Sequence, residues 1–178
     1  MQKLSRRARV ATGAAVLAAV AAGTFGTVSA TAAPQAAPAA AQAADTITST
    51  HLTIDAASKA AQAALDAAKK ENQKVSVAVV DRNGNTVLTL RGDGAGPQSY
   101  EAAEKKAYTA VSWNAPTSEL AERLDKAPTL KDIPGTLFLA GGAPVTADKA
   151  PIAGIGVAGA PSGDLDEKFA QAGVDALK

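Results

Sequence analysis

Gly135-Thr-Leu-Phe-Leu-Ala-Gly-Gly-Ala-Pro-Val145, then Ile152-Ala-Gly-Ile-Gly-Val-Ala-Gly159, then Asp164 to Leu177, is the stretch that decides the fold class. It predicts a strand entered through Gly135, a glycine turn, a proline, a second strand, another glycine turn and a helix opened by acids. It contains no phosphate loop and no catalytic triad.

Upstream, Val75-Ser-Val-Ala-Val-Val80 is β-rich, and Thr86-Val-Leu-Thr-Leu-Arg91 reads as its return strand. Between them Asn83-Gly84 predicts a tight hairpin turn, because both residues tolerate positive φ. Before this hairpin, Thr53-Ile-Asp55 starts a helix with alanines at helical spacing, Ala56, Ala60, Ala64 and Ala67/Ala68. Thr53 suits its N-cap and Asp55 the positive end of its dipole. After the hairpin, Gly92-Asp-Gly-Ala-Gly-Pro97 is a loop whose Lys and Ser/Thr are misplaced for phosphate binding. Gln98 to Trp113 is a second helix, with Ala103, Ala107, Ala110 and Val111 as its buried stripe. Ala115-Pro116 ends it, and Ser118 caps a short third helix reaching about Lys126. The order is α-β-β-α-α-β-β-α. Hairpins at both ends imply an antiparallel sheet packed by helices, an α+β fold rather than a doubly wound nucleotide fold.

Residues 1–30 read as an export signal, with a membrane anchor as the alternative. Lys3, Arg6, Arg7 and Arg9 form a basic start, Val10 to Val28 is apolar, and Val28-Ser-Ala30 suits signal peptidase. Ser5-Arg-Arg7 also suits twin-arginine export. Residues 31–45, mostly Ala, Pro and Gln, read as a disordered tether that cannot offset its ordering entropy. The folded domain is then 46–178. Without the signal, 14 basic residues face 17 acidic ones, a net charge of −3, which argues against nucleic acid as a partner. There is no cysteine, so disulfides, thiolate chemistry, iron–sulfur clusters and cysteine zinc sites are excluded.

His51 is the one histidine. It reads either as an exposed residue before the first helix or as a lone metal ligand completed by carboxylates or another subunit. Glu101 and Glu104, three apart on one helical face, suit a hard cation such as iron, or simply the helix dipole. For haem, the strong-field candidate is His51 and the phenolic ones are Tyr100 and Tyr108. Thr136 offers a weak hydroxyl ligand at the start of its strand, where an ordinary β-branched residue also belongs. Gly141-Gly142, Gly154, Gly156 and Gly159 mark close backbone approach, as a pocket floor for a flat ligand or as tight subunit packing. Asp164, Asp166 and Glu167 read as helix-start acids.

From about Leu52 to Leu177 the chain resembles the GlcG/HbpS family. The resemblance is carried by Val79-Val80-Asp81 with Asn83-Gly84, the Glu101–Lys106 helix, Gly141-Gly-Ala-Pro-Val145, Gly154-Ile-Gly-Val-Ala-Gly159 and the ending Asp166 to Leu177. It implies a five-stranded antiparallel sheet, a homo-oligomer (an octamer), and haem binding. In the branch of secreted haem-binding proteins of actinomycetes it implies extracellular sensing with a membrane sensor kinase of a two-component system. It sets Thr136 near haem iron, and Glu101, Glu104 and His51 at iron-binding positions. The expected function is therefore a secreted haem- and iron-binding sensor. The rival is a haem-degrading or small-molecule redox enzyme, with Asp81, Tyr100 and Lys105 as proton-transfer candidates. A third reading is an assembly module alone.

Overall fold

The first helix, α1 (Ile54–Lys70), begins where Thr53 turns extended and its hydroxyl accepts the Ala56 N–H at 3.2 Å. Asp55 in the first turn and Lys69 and Lys70 in the last complement its dipole. Strands β1 (Ser76–Asp81) and β2 (Thr86–Arg91) form the expected antiparallel hairpin, with Gly84 at φ +87° in its turn. Helix α2 (Pro97–Trp113) opens on a proline and ends at Asn114, left-handed at φ 51°. Then come the short α3 (Thr117–Glu122), β3 (Gly142–Ala147), β4 (Ala150–Ala158) and α4 (Gly163–Asp175). The Ser162 hydroxyl caps α4 through the Leu165 N–H. This computed structural model describes residues 40–178. The export-signal reading of 1–30 and most of the tether reading lie outside them. Residues 40–45 are exposed, with one 3-10 turn at Ala43–Asp45. Residues Thr46–Lys178 form one compact unit.

Among the described residues the sheet has four strands, not about five, in the order β2-β1-β4-β3, every pair antiparallel. Period-two alternation sorts the sides. Val77, Val79, Ile155 and Val157 face α1 and α4, where Ala57, Ala60, Ala61, Ala64 and Phe169 complete the larger core. Ala78, Val80 and Ala158 face α2 through Ala103, Ala107 and Val111. Pro144 sits on β3, an edge strand, where a missing donor is tolerated.

The expected strand from Gly135 is not one. Residues 136–140 cross α2 instead of pairing with β4. Phe138 fills a satellite cluster with Leu120 and Ala115 and meets Trp113 edge-on at 5.2 Å. The Leu137 N–H donates to Thr109 Oγ1 on α2 at 2.8 Å rather than to a neighbouring strand. Gly142 therefore begins β3 rather than turning the chain. The turn falls at Asp148 and Lys149, both at positive φ without being glycine. Ser118 does not cap α3 either. It lies inside the helix, and its N–H and hydroxyl both donate to Glu167.

The close backbone approach expected at Gly154 and Gly156 is made to α2, within the chain. Both lie under α2. A Cβ on Gly156 would stand 2.0 Å from the Ala103 carbonyl oxygen, and one on Gly154 2.1 Å from that of Ala107. These two positions let the helix backbone settle directly on β4.

Candidate functional site

Helix α2 carries two different chemistries on its two sides. Its outer side presents Glu101, Glu104, Lys105 and Tyr108. Glu101 is exposed and pairs with Lys105 at 2.6 Å, whose hydrogen bond and charge hold the carboxyl below its ordinary 4.5. Glu104 accepts the Thr89 hydroxyl at 3.1 Å through one oxygen. Two shallow pockets flank Lys105. One, of about 170 Å³, is lined by Glu104, Tyr108, Gly84 and Gly135, among others. The other, of about 200 Å³, is lined by Glu101, Gln98 and Leu137.

Tyr108 is held between two glycine turns. Its ring carbons lie 2.9 Å from where a Gly84 Cβ would be and 3.6 Å from that of Gly135. Both glycines have positive φ, +87° and +81°. Thr136 follows Gly135 in this loop rather than in a strand, and it is half-buried. Its hydroxyl donates to the Ile133 carbonyl at 2.7 Å, which leaves the oxygen lone pairs available. The loop is pinned to α2 by Thr109, fully buried, whose Oγ1 donates to the Lys105 carbonyl while accepting from Leu137. The sequence reading missed Thr109. A β-branched hydroxyl inside an otherwise alanine-rich buried stripe was the available signal.

His51 lies beside the first hairpin. Its Nε2 is 2.7 Å from Ser49 Oγ, and its Nδ1 is 3.8 Å from Asp81 Oδ2. Hydroxyl, imidazole and carboxylate thus occur in order. At 3.8 Å, however, the imidazole is not hydrogen-bonded to Asp81, which is committed to the turn. Asp81 Oδ1 accepts the Asn83 and Asn85 N–H groups at 2.9 and 2.8 Å, and Oδ2 the Asn85 amide at 3.1 Å. Among the described residues no group of three His, Cys, Asp or Glu side chains gathers as a metal site, so His51, Glu101 and Glu104 do not converge within one chain.

Partial burial works to raise the Asp81 carboxyl. The Asn85 side chain, the Asn85 and Asn83 N–H groups and nearby His51 outweigh it and hold the carboxyl below 3.8. A depressed carboxyl stabilises the fold above its unfolded value, and that contribution is lost as pH falls through the folded one. Asp81→Ala is therefore expected to lower stability by about 2 kcal/mol at neutral pH. In urea unfolding, the gap from wild type should narrow as the pH is taken well below 3.8. A gap independent of pH would refute the assignment.

On the inner side of α2, Lys106 is 2% exposed and reaches Asp166 Oδ2 at 2.8 Å and the Val157 carbonyl at 3.1 Å. Its ammonium takes the ladder position that the Gly141 N–H leaves by turning to Glu167. Asp166 lies in the first turn of α4, as expected, and there it also forms this buried ion pair. Burial pushes its carboxyl above the usual range, while Lys106 and the Ala160 and Gly159 N–H groups pull it back. Helical spacing places Lys106, three residues after Ala103 and four before Ala110, beside the buried stripe and Lys105 away from it. What the sequence did not mark is its partner, Asp166.

The fold and this helix define an α+β sandwich domain that presents oxygen donors on the outer side of one helix. The chain belongs to the HbpS-like family, whose model, described as "Haem degrading protein HbpS-like", matches residues 52–175. The crystal structure of a Streptomyces reticuli HbpS double mutant superposes with a TM-score of 0.79 at 72% identity, covering 82% of this chain and 99% of that one. A PduOC:heme complex superposes at 0.66 with 27% identity, covering 71% and 95%. An uncharacterized 15.0 kDa protein from the dhaT-dhaS intergenic region of Citrobacter freundii is 34% identical over 113 residues, 61% of this chain and 80% of that protein.

Proposed function

We propose that the chain is a secreted haem- and iron-binding protein for extracellular haem and redox sensing. It assembles as a homo-octamer and is accessory to a membrane sensor kinase of a two-component system. The observation that carries this reading is its 72% identity to Streptomyces reticuli HbpS over 99% of that chain. The haem complex of a PduO domain on the same fold supports the ligand.

Haem sits at an intersubunit surface beside Thr136. Supporting this, the Thr136 hydroxyl keeps free lone pairs, and exposed apolar side chains, Ile133 and Leu139, flank it in the same loop. A neutral hydroxyl is a weak ligand, which suits haem that exchanges as a signal. The carboxylates of Glu101 and Glu104 supply hard oxygen donors for iron. The Streptomyces protein was crystallised with two glutamates three positions apart changed to aspartate, the spacing of Glu101 and Glu104. Glu119 and Glu122 share that spacing and serve as the control. His51 joins the iron site from a neighbouring copy.

The test is a haem titration followed at the Soret band, with wild type and Thr136→Ala side by side. Saturable binding weakened in the variant is expected; no saturable binding would end the haem reading. A ferric titration of Glu101→Gln/Glu104→Gln should lose iron that Glu119→Gln/Glu122→Gln retains. The family description favours a second reading, haem degradation. Haem plus reductant would then yield a ring-opened product, whereas a sensor returns intact haem.

A further inference from the structure

A cavity of about 370 Å³ opens between the first half of α2, the end of β4 and the start of α4. None of Thr136, Glu101, Glu104 or His51 lines it. One wall is apolar, formed by Ala102, Leu139, Ala158 and Pro161. The lining also holds Lys106, one turn after Ala102 on α2, and Asp166, whose side chains are 2% and 5% exposed.

The hydrogen-bond balance of this lining favours a ligand that accepts. An ammonium has three donors. Lys106 uses one on Asp166 Oδ2 and one on the Val157 carbonyl, and a third remains. Both Asp166 oxygens are engaged, Oδ2 by Lys106 and Oδ1 by the Ala160 N–H at 3.0 Å. Ser162 Oγ accepts from the Leu165 N–H and keeps its own proton to give. The N–H of Gly163, the first residue of α4, has no carbonyl one turn behind it.

Charge agrees. Lys106 and Asp166 offset each other. Asp164 and Glu167 line a separate groove beside Pro116 and Ser118. The remaining field on the cavity is the positive end of α4, offset in part by Asp164 in its first turn. A buried ion pair is seldom more stable than apolar residues of the same volume, so stability alone does not favour a lysine here.

We propose that this cavity is a second binding site, for a small carboxylate with an apolar body. Its oxygens take the free donors of Lys106, Ser162 and the start of α4, and its body lies along Ala102, Leu139 and Ala158. Of the residues named for the haem reading this site shares only Leu139, and it does not depend on that reading.

Benzoate is the probe, and benzyl alcohol, of similar size without the carboxylate, is the control. Both are titrated into the full nitrogen-labelled chain and followed at the amides of Gly159, Ala160 and Gly163. The expected result is saturable shifts with benzoate and binding of benzyl alcohol weaker by about tenfold or more. Leu139→Trp, at a position 52% exposed, is expected to narrow the cavity and weaken benzoate binding without touching the ion pair. Lys106→Met should abolish it; where that variant does not fold, Leu139→Trp decides. No saturable shift at these three amides, equal affinity for the alcohol, or unchanged binding in Leu139→Trp would each overturn the proposal.

Discussion

Gly156→Ala is expected to destabilise the fold by about 3 kcal/mol or more, the upper range for overpacking. The reason is that its new methyl meets backbone, which cannot rotate away. A Cβ there would lie 2.0 Å from the Ala103 carbonyl oxygen and 2.5 Å from the Ala107 nitrogen. Relief requires lifting α2 off β4, which would open the contact of Ala103 and Ala107 with Ala78, Val80 and Ala158. Against a typical total of about 5–15 kcal/mol, such a loss leaves little margin. Urea unfolding measures it, with a midpoint lowered by about 1–2 M for a slope of about 2 kcal/mol/M. Gly96→Ala is the control, because the nearest atoms its Cβ would meet belong to the movable Gln98 side chain and its φ is −61°. Equal midpoints for the two variants would show that α2 does not rest on a glycine-cleared strand.

Lys106→Met is expected to lower stability by about 3–5 kcal/mol, because it leaves Asp166 buried without its cation. The Val157 carbonyl also loses its donor. The double change Lys106→Met/Asp166→Leu should recover most of the loss, since it removes the stranded charge with the pair. The pH dependence has a definite sign. Burial raises the Asp166 carboxyl, and without Lys106 it rises further. A raised carboxyl binds its proton more tightly in the folded state, so the single variant regains stability as pH falls through the raised value. Thermal or urea unfolding across pH would show this. A deficit that persists in the double variant, or that ignores pH, would mean that packing rather than charge explains the loss.

The hairpin of β1 and β2 was legible because its signals are local. Asn83-Gly84 tolerates the turn backbone, and valines at alternate positions need one buried side each. The caps Thr53 and the alanine stripe of α2 were legible for the same reason. Residues 135–140 were misread because an apolar run such as Leu137-Phe138-Leu139 has no period of its own. Whether it joins a sheet depends on a free partner edge, and Thr109 on α2 holds it elsewhere. The β3–β4 turn at Asp148 and Lys149 was missed because its positive φ angles are imposed on residues that seldom choose them.

The candidate site divides along the same line. Glu101 and Glu104 were readable as a pair because i, i+3 spacing fixes their common helix face. Where His51 lies relative to them was not, since it depends on which layer each helix occupies. The sequence by itself determined the α+β class, the β1–β2 hairpin and the Thr53 cap of α1, all of which follow from interactions within a few residues. Only the tertiary structure decided that Tyr108 sits between two glycine turns, that Gly154 and Gly156 lie under α2, and that the buried partner of Lys106 is Asp166. Each of these joins residues far apart in the chain, 60 positions for Lys106 and Asp166, and steric fit and desolvation act only once the layers have closed.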